Sequence, residues 1–346
     1  MHEPPLISLS NLKREKDEKY VALCHEIGQA AQDIGFLRIC DHGIDLDLIE
    51  ATYQQAKRFF SMPEEFKSQY YIGKSINHRG YVPFNEKGDY PDEKNRCYEA
   101  YDLGLDLPHT DPDYLAGNRI LGPNVWPELL GFKSVVGEYY RQVSALGRRL
   151  CGCLETHLGL PDAAITSKMS KPVSQLRLLH YVREAQATDP RSVNMGAHTD
   201  YECLTLLHTR NEGLQAMTRD DTWVDVPVDP ATLIVNVGDM LEAWTNGILR
   251  STPHRVLNLS PERFSLPYFV AANHDAEIRP FQQLLRDDEM PKYQPIFAGE
   301  HLERMLMRDF PYFRRSKSIV CNSHGLHLAS AQALNPFETR LHGKVA

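Results

Sequence analysis

The residues best able to do chemistry in this chain are His198 and Asp200, two apart, His254 further along, and Arg263 with Ser265 beyond it. On an extended backbone, side chains at i and i+2 project to the same side. One short segment can therefore aim the His198 imidazole and the Asp200 carboxylate at a common point, with Thr199 turned away. Antiparallel strands lie about 4.8 Å apart, so His254 can join from a neighbouring strand. Two imidazoles and one carboxylate fill one face of an octahedral ion and leave the other face open, a set suited to Fe(II). Zinc is the competing metal, because catalytic Zn²⁺ also takes His and carboxylate ligands. A His-x-Asp tripeptide alone carries little weight among 15 histidines. The third ligand, placed in a β-rich stretch, adds to it.

Arg263 and Ser265 also stand two apart, in the strand-like run Arg-Phe-Ser-Leu-Pro-Tyr-Phe. They share a face, and Phe264 and Leu266 share the other. Arginine grips a carboxylate bidentately and a serine hydroxyl adds a hydrogen bond. A buried arginine without an anion is costly, so the pair implies either a bound carboxylate or an internal acidic partner. Tyr181, at the end of another strand, can add a phenolic donor.

Composition narrows the field. The 346 residues suffice for one large domain or two modest ones, with 42% hydrophobic and 24% charged residues. A net charge of −8 argues against phosphate-backbone binding, so no nucleic-acid partner is expected. No apolar run reaches membrane-spanning length and no secretory leader is evident, so no membrane partner is expected. Seven scattered cysteines read as reduced thiols of a cytoplasmic protein. Cys151 and Cys153 point apart on a helical pattern and carry no metal or redox expectation. The expected partner is a small-molecule substrate, and the expected state is a monomer or weak homo-oligomer.

The elements that position these residues follow from periodicity. Leu23, Ile27, Ala30 or Ala31 and Ile34 recur at helical spacing up to Gly35. Phe36–Cys40 reads as a strand, and Leu46, Ile49, Tyr53, Ala56 and Phe60 as a second helix. Ser61-Met-Pro-Glu64 reads as a capping box opening a short helix. Residues 75–124 are rich in turn formers and read as long loops at a substrate mouth. Phe132, Val135, Tyr139, Val143, Leu146, Leu150 and Leu154 form the stripe of a long scaffold helix. From residue 174 the period changes to two. Strands are expected at Gln175–Val182, Cys203–Thr209, Leu214–Met217, Trp223–Val228, Leu233–Val237 and Phe264–Ala271. Short strands with tight turns suggest a jelly roll rather than a Rossmann sheet. The tail reads as helical around His301–Arg308, with His324 and His327 solvated beyond it. His180 and His208 read as core or wall residues.

Taken together these residues resemble the isopenicillin N synthase-like family of Fe(II)/2-oxoglutarate-dependent dioxygenases. The likeness covers most of the chain. It runs through Gly35-Phe-Leu-Arg-Ile, Asp41-His-Gly43, Met62-Pro63, Leu176-Arg-Leu-Leu-His-Tyr181, His198-Thr-Asp200, Leu204-Thr-Leu-Leu207, Asn236-Val-Gly-Asp239, Ser251-Thr-Pro-His-Arg-Val256 and Arg263-Phe-Ser265. The resemblance implies a distorted double-stranded β-helix, mainly β, with flanking helices and an α/β N-terminal region. It implies iron on His198, Asp200 and His254, and 2-oxoglutarate on Arg263, Ser265 and Tyr181. One departure is Val182, where the family often has proline. The implied reaction uses O₂ and 2-oxoglutarate to oxidise a C–H bond of a metabolite, releasing succinate and CO₂. Hydroxylation is the default, with desaturation or cyclisation open.

Three alternatives stand beside this reading: an isopenicillin N synthase-type oxidase that does without 2-oxoglutarate, a zinc hydrolase, and a non-catalytic jelly-roll binding protein. The expected organisation is an N-terminal region 1–125, a scaffold helix 126–170, a jelly-roll core 171–280 and a helical tail 281–346. Substrate contacts are expected from Tyr81, Phe84, Glu99, Tyr101 and Phe269, with His180 or Leu206 as further walls.

Overall fold

The computed structural model describes residues 3–12, 16–84, 86, 98–182 and 193–315. The chain opens with β1 (Leu6–Ser8), α1 (Glu18–Asp33), β2 (Phe36–Cys40), α2 (Leu46–Phe60) and α3 (Glu64–Lys67). It continues through β3 (Gly80–Val82), β4 (Tyr98–Gly104), α4 (Pro112–Leu115) and the long α5 (Phe132–His157). The β-rich half contains β5 (Gln175–Val182), β6 (Val193–His198), β7 (Leu204–Thr209), β8 (Leu214–Met217), β9 (Trp223–Asp225) and β10 (Leu233–Val237). It is followed by α6 (Asp239–Trp244), β11 (His254–Leu257), β12 (Glu262–Val270), β13 (Glu277–Ile278), β14 (Ile296–Phe297), α7 (Ala298–Asp309) and α8 (Pro311–Arg315).

Eight strands form one sheet in the order β1-β2-β10-β7-β12-β5-β4-β3, and four form a second in the order β6-β11-β8-β9. The larger sheet is antiparallel except where β1 joins β2. Its two faces differ as period two requires. On β5 and β12, Leu176, Leu178, Leu266, Tyr268 and Val270 enter the apolar layer shared with α1, α2 and α5. The alternate residues, among them Arg177, Tyr181, Arg263 and Ser265, line a cavity closed on its far side by the smaller sheet. Burying a large apolar side chain contributes about 1.5–3 kcal/mol, so the helical layer stabilises the sheet. The cavity face is thereby left free to carry polar groups.

Helix boundaries follow from their caps. Asp17 accepts a hydrogen bond from the Tyr20 amide at the start of α1, and Asp45 accepts from the Asp47 amide at the start of α2. Gly35 follows α1 with φ +72° and lets the chain turn straight into β2. The Ser61–Glu64 capping box does not form. Ser61 instead ends α2, and Glu64 accepts from Ser68 on the following turn. On α5 the buried stripe takes Val136 rather than Val135.

The expectation of loops over residues 75–124 is corrected: β3 and β4 extend the main sheet there. Glu99 and Asp102 hid β4, because buried carboxylates break an apolar alternation. Each is neutralised locally, Asp102 by a bidentate Arg177 at 2.7 Å on both oxygens and Glu99 by Lys67 at 2.7 Å. Strands β6 and β11 were legible only as carriers of the two histidines. The expected tail helix is α7, while His324 and His327 lie outside the described residues.

A Cβ on Gly35 would meet the Arg250 carbonyl oxygen at 2.1 Å, whereas one on Gly43, also at positive φ, meets nothing within 4 Å. Gly43→Ala is expected to cost roughly 1 kcal/mol for its backbone conformation alone. Gly35→Ala is expected to cost roughly 3 kcal/mol or more, because the clash adds to it. Urea unfolding of both variants checks this, and equal midpoints would contradict it.

Candidate functional site

His198 ends β6 and His254 begins β11, and the two are direct partners across the antiparallel pair. Their ring centroids lie 4.3 Å apart. Asp200 follows β6 and turns its Oδ1 toward both, 3.8 Å from His198 Nε2 and 3.5 Å from His254 Nε2. All three donor atoms lie within 4.8 Å of one another. His198 Nδ1 stands 2.8 Å from the Gly196 carbonyl and His254 Nδ1 3.2 Å from the Thr252 carbonyl. A carbonyl can only accept, so each Nδ1 carries the proton and each Nε2 keeps its lone pair for a metal. The second carboxylate oxygen of Asp200 accepts from Asn236 Nδ2 at 2.6 Å and from Thr205 Oγ1. Burial would raise the Asp200 pKa. The two imidazoles and these two hydrogen bonds outweigh it and hold the carboxyl below its ordinary value. Thr199 points elsewhere, donating to Asp239 Oδ2 at 3.3 Å. The donor set and its fixed tautomers fit a divalent transition metal.

Arg263, Ser265 and Tyr181 line the same cavity. Arg263 and Tyr181 are cross-strand partners on β12 and β5. The guanidinium lies 5.6 Å from the Tyr181 ring centroid and donates through Nη1 to the Glu212 carbonyl at 3.0 Å. Its Nε is buried without a hydrogen-bond partner among the described residues. Burial pulls this arginine below its ordinary pKa. A carboxylate in the cavity would supply the missing acceptor and the missing charge. The internal acidic partner left open by the sequence does not appear among the described residues. Leu207, Leu214 and Val256 complete an apolar surround.

Of the five residues expected to touch substrate, the structure brings Phe269 to the cavity. The other four lie on the opposite face of the sheet or beside it. Glu99 accepts from Tyr81 at 2.6 Å and from Lys67 at 2.7 Å, and sits 2.8 Å from His180 Nδ1. Tyr101 is buried between Phe59 and Phe132 and donates to the Val125 carbonyl at 2.8 Å. Phe84 is half-buried, edge-on to His180. The physical reason is parity: with β4 in register against β5, Glu99 pairs with His180 and faces outward, and Tyr98 pairs with Tyr181 and faces in. His180 and Leu206 face outward too, and Leu207 supplies the wall expected of Leu206. His208 is a core residue, 2.8 Å from the Tyr53 hydroxyl.

Several cavity residues were missed. Gln175 and Arg177 share the parity of Tyr181 on β5, a signal present in the sequence but not followed outward. Glu202 lies just past the ligand pair, where burial and the nearby Asp200 charge push its pKa up to about 8. Leu302, Leu306 and Phe310, from α7 and its end, cover the cavity, and no local pattern announces where a helix will dock.

Comparison with known proteins agrees with this geometry. Residues 4–129 match the family model for the N-terminal region of non-haem dioxygenases in morphine synthesis, and residues 173–272 match that of the 2OG-Fe(II) oxygenase superfamily. The 2-oxoglutarate-dependent dioxygenase caaD of Aspergillus niger is 34% identical over 70% of this chain and 76% of its own length. The 2-oxoglutarate-dependent dioxygenase tropC of Talaromyces stipitatus is 32% identical over 74% of this chain and 81% of its own. Among solved structures, a 2OG-Fe(II) oxygenase family protein from Caulobacter crescentus superposes with a TM-score of 0.77 at 31% identity, covering 88% of this chain and 98% of that one. A full-length Neurospora crassa protein, solved in complex with alpha-KG and thymine, gives 0.76 at 27% identity, covering 88% and 96%. These relatives do not favour the oxidase, zinc hydrolase or binding-protein alternatives. The chain belongs to the 2OG-Fe(II) oxygenase superfamily and is an iron- and 2-oxoglutarate-dependent dioxygenase of the isopenicillin N synthase-like type.

Proposed function

We propose that His198, Asp200 and His254 hold Fe(II), and that Arg263 and Ser265, with Tyr181, hold the distal carboxylate of 2-oxoglutarate. The reaction is oxidation of a C–H bond in a small metabolite, by default hydroxylation. The observation that carries this reading is the convergence of three donor atoms within 4.8 Å, in one cavity with a buried arginine whose Nε lacks an acceptor. When bound together, iron and 2-oxoglutarate supply oxygen activation and C–H oxidation, with succinate and CO₂ as the cosubstrate's products.

The chain's own residues bind, aim and exclude water. The carbonyls of Gly196 and Thr252 fix the two imidazoles by their Nδ1 protons. Asn236 and Thr205 hold Asp200 so that one oxygen faces the histidines. Arg263 orients the cosubstrate by pairing with its distal end, and Leu207, Leu214 and Val256 keep water from its length. Phe269 and the α7 residues Leu302 and Leu306 bound the substrate side. The net charge of −8 supports action on a small metabolite rather than on nucleic acid. The free thiols of Cys24, Cys40, Cys151, Cys153 and Cys203 support a cytoplasmic setting, with a monomer or weak homo-oligomer as the working state.

Anaerobic addition of Fe(II) and 2-oxoglutarate is expected to produce a visible metal-to-ligand charge-transfer band, and His198→Ala is expected to abolish it. A band that survives the substitution would contradict the ligand assignment. Arg263→Ala should weaken 2-oxoglutarate binding by a few kcal/mol, roughly a hundredfold, read by titrating that band. Unchanged affinity would remove Arg263 from the socket. Asn236→Ala, which frees one Asp200 oxygen, should lower iron affinity by roughly 10–100-fold in a competition titration with a chelator. Retention of full affinity would show that Asn236 does not orient the ligand.

A further inference from the structure

We propose that Glu99, His180 and Glu262 form a charged clasp on the outer face of the sheet that sets the grip of Arg263 and Tyr181 on 2-oxoglutarate. The three are positioning residues and touch neither the metal nor the cosubstrate. The inference rests on the cosubstrate socket assigned above and adds what holds that socket in shape.

Register puts each clasp residue next to a cavity residue. Tyr98, Tyr181 and Arg263 lie side by side on β4, β5 and β12 and line the cavity. Their chain neighbours Glu99, His180 and Glu262 face the opposite way. Glu99 pairs directly with His180, and Glu262 sits diagonally from it, opposite Val182. The socket stands where these strands end: β4 begins at Tyr98, β5 ends at Val182 and β12 begins at Glu262. Strand ends open more readily than strand middles. A displaced end would carry the Arg263 guanidinium away from the distal carboxylate.

Two hydrogen bonds close the clasp. His180 Nδ1 lies 2.8 Å from Glu99 Oε1, and its Nε2 lies 2.9 Å from Glu262 Oε1. An ionised carboxylate only accepts, so both ring nitrogens donate and the ring is an imidazolium. Burial would raise the Glu99 pKa. Hydrogen bonds from His180, Lys67 and Tyr81 outweigh it and hold the carboxyl below its ordinary value. Glu262 is the exposed arm, its side chain 63% accessible against 12% for His180. One imidazolium therefore joins three strands through charge-assisted hydrogen bonds, which are stronger than neutral ones.

The surroundings suit a charged ring. It stacks on Phe264 with centroids 4.5 Å apart and 13° between planes, with Phe60 at 5.4 Å and Phe84 edge-on at 6.4 Å. Aromatic faces attract a cation. From α3, Lys67 Nζ meets the other Glu99 oxygen at 2.7 Å and a Glu64 oxygen at 3.5 Å. From β3, the Tyr81 hydroxyl donates to Glu99 at 2.6 Å. From α2, Lys57 Nζ stands 5.7 Å from the Phe264 ring centroid. The cations His180, Lys57 and Lys67 thus balance the carboxylates Glu64, Glu99 and Glu262. Raising the pH takes one proton from the ring. One of its two hydrogen bonds is lost, and the cluster is left with an excess negative charge.

The test uses the full chain with Fe(II), titrated anaerobically with 2-oxoglutarate and with 2-oxopentanoate. Both offer the metal the same keto acid end, and 2-oxopentanoate lacks the distal carboxylate. The ratio of their dissociation constants isolates the socket and cancels any titration of the metal ligands. Glu262→Ala, at an exposed position, should cut the preference for 2-oxoglutarate roughly twofold or more. His180→Phe, which keeps the ring stack, should cut it roughly fivefold or more. From about pH 6.5 to about pH 9 the native preference should fall roughly threefold or more, and that of His180→Phe should stay level. If Arg263→Ala abolishes the preference while both clasp variants keep it, the clasp is overturned and the socket stands. If Arg263→Ala keeps the preference, socket and clasp fall together. Equal weakening of the two keto acids in the clasp variants also overturns the clasp, because the fold at large is then at fault.

Discussion

The pairing of His198 with His254 across β6 and β11 is the constraint from which the rest of the site follows. It brings together two residues distant in sequence by backbone register alone, and a slip of one residue would turn either imidazole to the opposite face. Everything nearby defends that register. The Phe36 ring packs edge-on to His254 at 5.5 Å. The Met217 amide donates to the Pro253 carbonyl at 2.8 Å and the Asp239 amide to the Asp200 carbonyl at 2.8 Å. The small sheet thus presents the ligands, and the large sheet supplies the groups that hold and complement them.

Charge inside the sheet is managed in two different ways. On the outward side, Glu99 is fully satisfied by Lys67, Tyr81 and His180, and beneath the cavity Arg177 is matched to Asp102. Such pairs recover through geometry what burial costs them. In the cavity, Arg263 and Gln175 keep polar nitrogens without partners among the described residues. Buried groups left unmatched are destabilising in the free protein and become favourable only when a ligand arrives. The same fold therefore holds closed networks on one side, which give rigidity, and open ones on the other, which give affinity.

Much of this was legible in the sequence wherever a single period governs. Phe36–Cys40, Gln175–Val182 and Leu233–Val237 have the bounds expected of them, and Leu46, Ile49, Tyr53, Ala56 and Phe60 lie on one helix as their spacing requires. The convergence of His198, Asp200 and His254 followed from i and i+2 geometry plus one strand pairing. Reading failed where tertiary partners rewrite the pattern. β4 buries Glu99 and Asp102 against charges from α3 and β5, so its alternation looks like loop, and the parity of Tyr98, Glu99 and Tyr101 could not be assigned. The α7 cover over the cavity was also out of reach. Its apolar stripe announces a helix, but which surface that helix meets is set by packing between distant segments.

The central claim is that one iron ion sits between His198, Asp200 and His254 with a keto acid anchored on Arg263. Anomalous diffraction at the iron edge, from crystals grown anaerobically with Fe(II) and 2-oxoglutarate, tests it most directly. The account predicts a single strong peak bounded by both Nε2 atoms and Asp200 Oδ1, and a carboxylate lying against the Arg263 guanidinium and Ser265. A peak elsewhere, or a keto acid bound away from Arg263, would contradict it.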